Sequence, residues 1–157
     1  MTQISTCLWF DDKAEEVANF YTSIFKDSKV VSTLYYGEAG PLPKGSVLTV
    51  TFQINGYEII ALNGGPVFTL SPAVSLFVKC KTQEEVDYYW DKLLAGGKPE
   101  HCGWLTDKFG VCWQIVPTIL GDMLQDKDPA KASRVMEAML KMIKLDIPTL
   151  KRAYEQG

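Results

Sequence analysis

The chain has 157 residues, 46% of them hydrophobic and 22% charged, with a formal net charge of −3. That length and balance suit a compact fold with a sizeable core and exclude a disordered chain. The acidic balance and the lack of a basic stripe argue against nucleic acid as the main partner, because phosphate binding needs clustered cations.

In chain order, residues 4–10 read as a short apolar strand, with Asp12 placed to cap the helix that follows. Across 14–25, Val17, Phe20, Tyr21 and Ile24 fall at helical spacing. Residues 30–36 have strand character, and 37–45, rich in glycine and proline, form a loop. Strands over 47–54 and 57–62 flank Asn55-Gly56, a two-residue hairpin signal because both residues tolerate positive φ. Asn63-Gly64-Gly65-Pro66 reads as a linker between halves. A strand follows over 74–80, and Thr82 with Glu85 forms a capping box for a helix whose apolar face is Val86, Tyr89, Trp90, Leu93 and Leu94. Gly96-Gly97 stops that helix. Residues 98–107 hold one or two short strands, and Phe109-Gly110 turns the chain into a last strand over 111–116. Asp128 caps and Pro129 opens a helix reaching about residue 144, with Val135, Met136, Met139, Leu140 and Ile143 on its apolar face. Leu150 and Tyr154 mark a final short helix after Asp146-Ile147-Pro148.

The first helix is written twice. Glu15-Glu16-Val17 recurs as Glu84-Glu85-Val86, Phe20-Tyr21 as Tyr89-Trp90, and Ile24-Phe25 as Leu93-Leu94. Each copy sits in a βαβββ unit, so the expected fold class is α+β. The expected layout is one domain over 1–117, made of module one (1–65) and module two (66–117), with a helical extension over 118–157. Duplicated units of this kind tend to close around a shared surface. The N-terminal stretch has no basic lead typical of a signal peptide, and no apolar run nears the roughly 20 residues that cross a bilayer. The expectation is therefore a cytoplasmic protein with no membrane partner. Cys7, Cys80, Cys102 and Cys112 show no CxxC spacing, and His101 is the sole histidine, so a Cys/His zinc site is not expected.

The order and spacing of several motifs resemble the vicinal oxygen chelate superfamily of glyoxalases, bleomycin-resistance proteins and dioxygenases. The closer resemblance is to its PhnB-like, demethylubiquinone methyltransferase-like branch. The residues that carry it are Leu8-Trp9-Phe10-Asp11, Phe20-Tyr21, Ala61-Leu62-Asn63-Gly64-Gly65, the run from Gly103 through Gly110, and Trp113-Gln114-Ile115-Val116-Pro117. The tail, with Lys131-Ala132 and Ala138-Met139-Leu140-Lys141-Met142, resembles longer members. The resemblance implies two incomplete barrels, each a curved sheet around a cavity, in a homodimer.

Metal-dependent relatives hold their ion with His, Glu or Gln from the first and last strand of each module. Carried over singly, those positions are Ser5 or Thr6, Ile60, Ala73 or Val74, and Gln114, with Ile60 aligned on Gln114 by matching Gly56-Tyr57 to Gly110-Val111. Only Gln114 is a ligand type, so no metal and no cofactor is expected. Methyl transfer on a nucleotide-binding sheet needs a Gly-rich strand-to-helix turn, and Phe10-Asp11-Asp12 has none.

Strand alternation places Ser5, Cys7 and Trp9 on one face and Leu8 and Phe10 on the helix side. With Ile60, Trp104, Cys112 and Gln114 they are the candidate lining of a mostly apolar pocket. For Trp9 the competing reading is core packing, for the cysteines inert thiols, for Gln114 an amide satisfied by its neighbours, and for Asp107 a turn-capping carboxylate. Three functions stay open. The first is a metal-independent homodimer binding an unidentified small molecule. The second is an enzyme using Gln114, Asp107, Glu58 or Cys102. The third is a structural dimer whose cavities are filled by Trp9, Phe77 and Trp104.

Overall fold

The computed structural model describes residues 1–156, which fall into two units, one spanning Met1–Leu70 and the other beginning at Ser71. In unit 1, β1 (Thr6–Phe10) leads into α1 (Ala14–Ile24), followed by β2 (Ser28–Tyr35), β3 (Val47–Ile54) and β4 (Tyr57–Asn63). They form a mixed sheet in the order β1-β4-β3-β2, parallel only between β1 and β4. Leu8, Phe10, Val50, Phe52, Ile54, Ile59 and Ala61 are buried on the side that receives Val17, Ala18 and Tyr21 of α1. Removing each large side chain of this set from water contributes about 1.5–3 kcal/mol. The Asn55-Gly56 hairpin forms as expected, with φ of 49° and 77°.

Two local readings need correction. Asp12 does not cap α1. The N-cap is Lys13, which makes no side-chain cap bond, and the Ala14 amide donates instead to Asn63 Oδ1 at 2.8 Å. The path from strand to helix is one residue longer here than in unit 2, which leaves Asp12 exposed outside the first turn. Nor do residues 63–66 behave as a linker. Asn63 is 5% exposed, its Nδ2 donates to Val47 O at 3.1 Å, and its carbonyl accepts from Tyr36 Oη at 2.5 Å. Gly64 and Gly65 then donate to Phe10 O and Asp11 O at 2.9 and 3.2 Å, carrying the pairing past the strand ends. The division between units falls later, at Leu70.

Unit 2 repeats the plan with β5 (Leu76–Cys80), α2 (Gln83–Leu94), β6 (Lys98–Pro99), β7 (Trp104–Thr106) and β8 (Cys112–Pro117), in the order β5-β8-β7-β6. Thr82 Oγ1 caps α2 at Glu85 N, 3.2 Å away, and the Glu85 carboxylate reaches back to Lys81 N at 2.6 Å. Both units thus share the α+β, two-module plan, and neither sheet closes into a barrel. The chain continues through α3 (Thr118–Leu124), α4 (Pro129–Leu140) and α5 (Ile147–Glu155).

The tail packs as part of unit 2, around Leu120, Met123, Val135, Leu145 and Leu150. Helix α3 was not expected, although Ile119, Leu120, Met123 and Leu124 hold helical spacing after Pro117. Helix α4 ends a turn before residue 144. There the carbonyls of Met142 and Ile143 accept the amides of Cys102 and Gly103 at 2.9 and 2.7 Å. Gln83 on α2 fastens the next stretch, accepting from Ile147 N at 2.7 Å and donating to Leu145 O at 3.2 Å. Among the described residues no helix is long and apolar enough to cross a membrane.

Candidate functional site

Each sheet buries one face under its helix and leaves the other open. The pairing defines rows of side chains across those open faces. In unit 1, Cys7 lies opposite Ile60 and Ile60 opposite Thr51. In unit 2, Phe77 lies opposite Gln114 and Gln114 opposite Trp104. Ile60 and Gln114 therefore occupy matching places, as the internal repeat suggested. The same pairing settles the register of the first strands. Ser5 shares the face of Ile60 while Thr6 does not, and the match to Ser5 is Ser75 and neither Ala73 nor Val74, because Cys7 and Phe77 lie opposite Ile60 and Gln114 and each serine comes two residues earlier.

The open face of unit 1 carries Ser5, Cys7, Trp9 and Ile60. Ser5 Oγ donates to Glu58 Oε1, so that carboxylate, on the same face as Ile60, is already engaged. Trp9 lies over its own chain. Its Nε1 donates to Gly65 O at 2.9 Å, its ring meets Phe68 edge-on at 5.0 Å, and a Cβ on Gly64 would overlap the indole. Cys7 is exposed, and such desolvation as it has raises its thiol pKa.

The open face of unit 2 forms a cleft of about 630 Å³. Its floor is Phe77, Lys79, Trp104, Gln114 and Val116, and its wall is the start of the tail, with Leu120, Gly121 and Leu124 of α3 and Met139 of α4. Gln114 Nε2 donates to Ser75 Oγ at 3.0 Å. Lys79 is exposed and has no hydrogen-bond or ion-pair partner among the described residues. Phe77 is 51% exposed, so it does not fill the space. Of the expected lining, Trp104 and Gln114 border the cleft, while Cys112 does not. Cys112 is buried, with its sulfur 3.6 Å from Thr106 Oγ1. Cys102 reaches the rim at φ 58°. Lys79 and the α3 wall escaped the sequence reading, and α3 was recoverable only from its helical spacing.

Asp107 is 3% exposed and belongs to the β7–β8 turn. Its Oδ1 accepts from Phe109 N and Val111 N at 2.9 and 3.0 Å, and its Oδ2 from Trp113 Nε1 at 2.9 Å. Those donors occupy the carboxylate, so it organises the turn and does not face a ligand. The Cys80 thiol is pushed up to about 12 by burial and by the Glu85 charge, which leaves it an unreactive thiol.

Metal-binding relatives would place ligands at Ser5, Ile60, Ser75 and Gln114. None is a carboxylate or imidazole, and Gln114 and Ser75 bond to each other, so this set does not fit a divalent ion held in that manner. Among the described residues no group of three or more His, Cys, Asp or Glu is placed to hold a metal.

Residues 2–116 match the family described as 3-demethylubiquinone-9 3-methyltransferase. The chain belongs to that family. A solved structure from Bacillus cereus, provisionally described as a 3-demethylubiquinone-9 3-methyltransferase, PhnB protein, is 40% identical. It is covered over its whole length by 74% of this chain, with a TM-score of 0.68. Protein PA1353 from Pseudomonas aeruginosa shares the fold at 19% identity, covering 74% of this chain and 98% of its own, with a TM-score of 0.62. So does the fosfomycin resistance protein FosX from Listeria monocytogenes, at 17% identity, 80% and 98% coverage and a TM-score of 0.54. The fold of this PhnB-like branch is that of the vicinal oxygen chelate superfamily. No curated protein matches the sequence.

Proposed function

We propose that this member of the PhnB-like branch is a metal-independent, homodimeric, cytoplasmic protein that binds a small molecule in the cleft of unit 2. The cleft carries the reading. Its size lies within the range of about 300–1,000 Å³ usual for ligand sites, and it combines apolar and aromatic walls with a few polar groups. Independence from metal is supported by the donor types at the four inherited positions. The dimer is supported by Met136 and Leu140, one turn apart on α4 and 39% and 60% exposed, which offer a second copy an apolar contact. Methyl transfer, which the family description suggests, lacks support from the strand-to-helix passages, neither of which contains a glycine.

Native mass spectrometry of protein purified without added ligand tests this reading beside a Gly121→Leu variant. A Cβ at Gly121 meets nothing within 4 Å, so the leucine extends into the cleft without moving the backbone. The expected result is a dimer carrying a bound small molecule that the variant loses while it stays dimeric. A monomer would overturn the dimer, and ligand retained by the variant would overturn the cleft as its site.

A further inference from the structure

We infer that the unit 2 cleft selects a compact, ring-bearing monoanion, with Lys79 as its charge partner; this rests on the cleft being the ligand site. The cleft floor supplies the argument. Phe77, Gln114 and Trp104 form one row across β5, β8 and β7, with the amide between two aromatic side chains. Neighbouring strands lie about 4.8 Å apart, so the two aromatics stand about 10 Å apart at their backbones. A flat group would occupy the slot between the two aromatics, above Gln114, where stacking adds to apolar burial. Gln114 gives one N–H to Ser75, and its amide lines the cleft with acceptor capacity left on Oε1.

Lys79 lies opposite Val116, in the row next to that slot. It is the sole charged side chain of the cleft lining, and no Asp or Glu lines the cleft, although acidic residues outnumber basic ones in the chain by 19 to 16. An ammonium with no acid beside it, next to an apolar slot, favours a ligand that brings its own negative charge. One lysine balances one charge, and the slot is apolar, so a ring acid fits better than a phosphorylated or polyanionic compound.

The test compares 2-naphthoate with 2-naphthamide, which has the same shape and no charge, by titration against the wild type and the Lys79→Ala and Lys79→Glu variants. The Trp104 indole N–H signal, assigned with Trp104→Phe, reports occupancy by NMR. The wild type should bind naphthoate roughly fivefold more tightly than naphthamide at low salt, with the preference shrinking as salt rises. Lys79→Ala should erase the preference and Lys79→Glu reverse it. Equal binding of both probes with a shifted Trp104 signal would overturn the anion inference and leave the cleft standing. A Trp104 signal that neither probe moves would overturn both. A preference that survives Lys79→Ala would overturn the role of Lys79.

Discussion

The two units start from one supersecondary plan and differ in their fastening devices. Unit 1 turns its β3–β4 hairpin with local chemistry, since Asn55 and Gly56 both take positive φ. It caps its helix from afar, through Asn63 at the end of β4. Unit 2 keeps both devices local. Thr82 caps α2 within one turn of chain, while the matching hairpin turn is organised by the buried Asp107 carboxylate. Asn63 and Asp107 are the buried polar residues of the described chain, one in each unit. The open faces diverge as well. The row Cys7–Ile60–Thr51 carries no aromatic, and the neighbouring Trp9 is held by its own loop, whereas Phe77–Gln114–Trp104 lines a cleft closed by the tail. Both copies keep the sheet and helix, while one folds Trp9 over its own chain and the other leaves a cleft.

Removing the polar fastener of each unit sharpens this contrast, and Asp107 should cost most. Asp107→Ala strands two backbone amides and an indole N–H in a largely buried turn, a loss of about 3–5 kcal/mol. Denaturant unfolding followed by tryptophan emission should show it, because Trp113 is one of the orphaned donors. Asp107→Asn keeps acceptor capacity on one oxygen and should lose about half as much. A change below about 1 kcal/mol in Asp107→Ala would mean the turn does not depend on the carboxylate. Asn63→Ala comes next, at about 2 kcal/mol, since it removes the α1 cap and the bond to Val47 O together. Faster hydrogen exchange at the Ala14 amide should accompany it, and an unchanged rate there would refute the long-range cap. Thr82→Ala, a single local cap, should lose about 1 kcal/mol.

The reach of each device explains what could be read from sequence. Asn-Gly and Thr-x-x-Glu act within four residues, so both were legible, as were the repeated helix and the matching of Ile60 to Gln114. Asn63 bonds to residues 49 and 16 positions away, and next to two glycines it passed for linker chemistry. For Trp9 the sequence leaves both pocket and packing open, because alternation gives a face and not what covers it. The cleft was half legible. Trp104 and Gln114 follow from strand alternation, but Lys79 gains meaning only when α3 and α4 close over the sheet, and no local pattern announces that packing.

The smallest predicted effect concerns how the tail is held to unit 2, the feature that unit 1 lacks. Asp87 on α2 bonds to Lys144 Nζ at 2.8 Å and accepts from Gln83 at 3.0 Å, and these two bonds hold its carboxyl below its ordinary pKa. A carboxylate whose pKa is lowered by folding adds stability above its unfolded value of about 3.9 and loses it as pH falls through the folded value. The side chains of Lys144 and Asp87 are 38% and 45% exposed, so solvent screening limits the pair to about 0.5 kcal/mol or less. Asp87→Ala should therefore lower stability slightly at pH 7, and by progressively less as pH falls through the folded value and the wild type loses the pair. Hydrogen exchange at Cys102 and Gly103, whose amides bond to the stretch just before Lys144, gives a local readout. Faster exchange there at pH 7 in Asp87→Ala would place the ion pair among the contacts that hold the cleft wall, because the same tail carries Met139 over the slot. Exchange unchanged by the substitution would leave Gln83 as the principal fastener of the tail on α2, and Gln83→Ala, which removes three hydrogen bonds, should then show the larger effect.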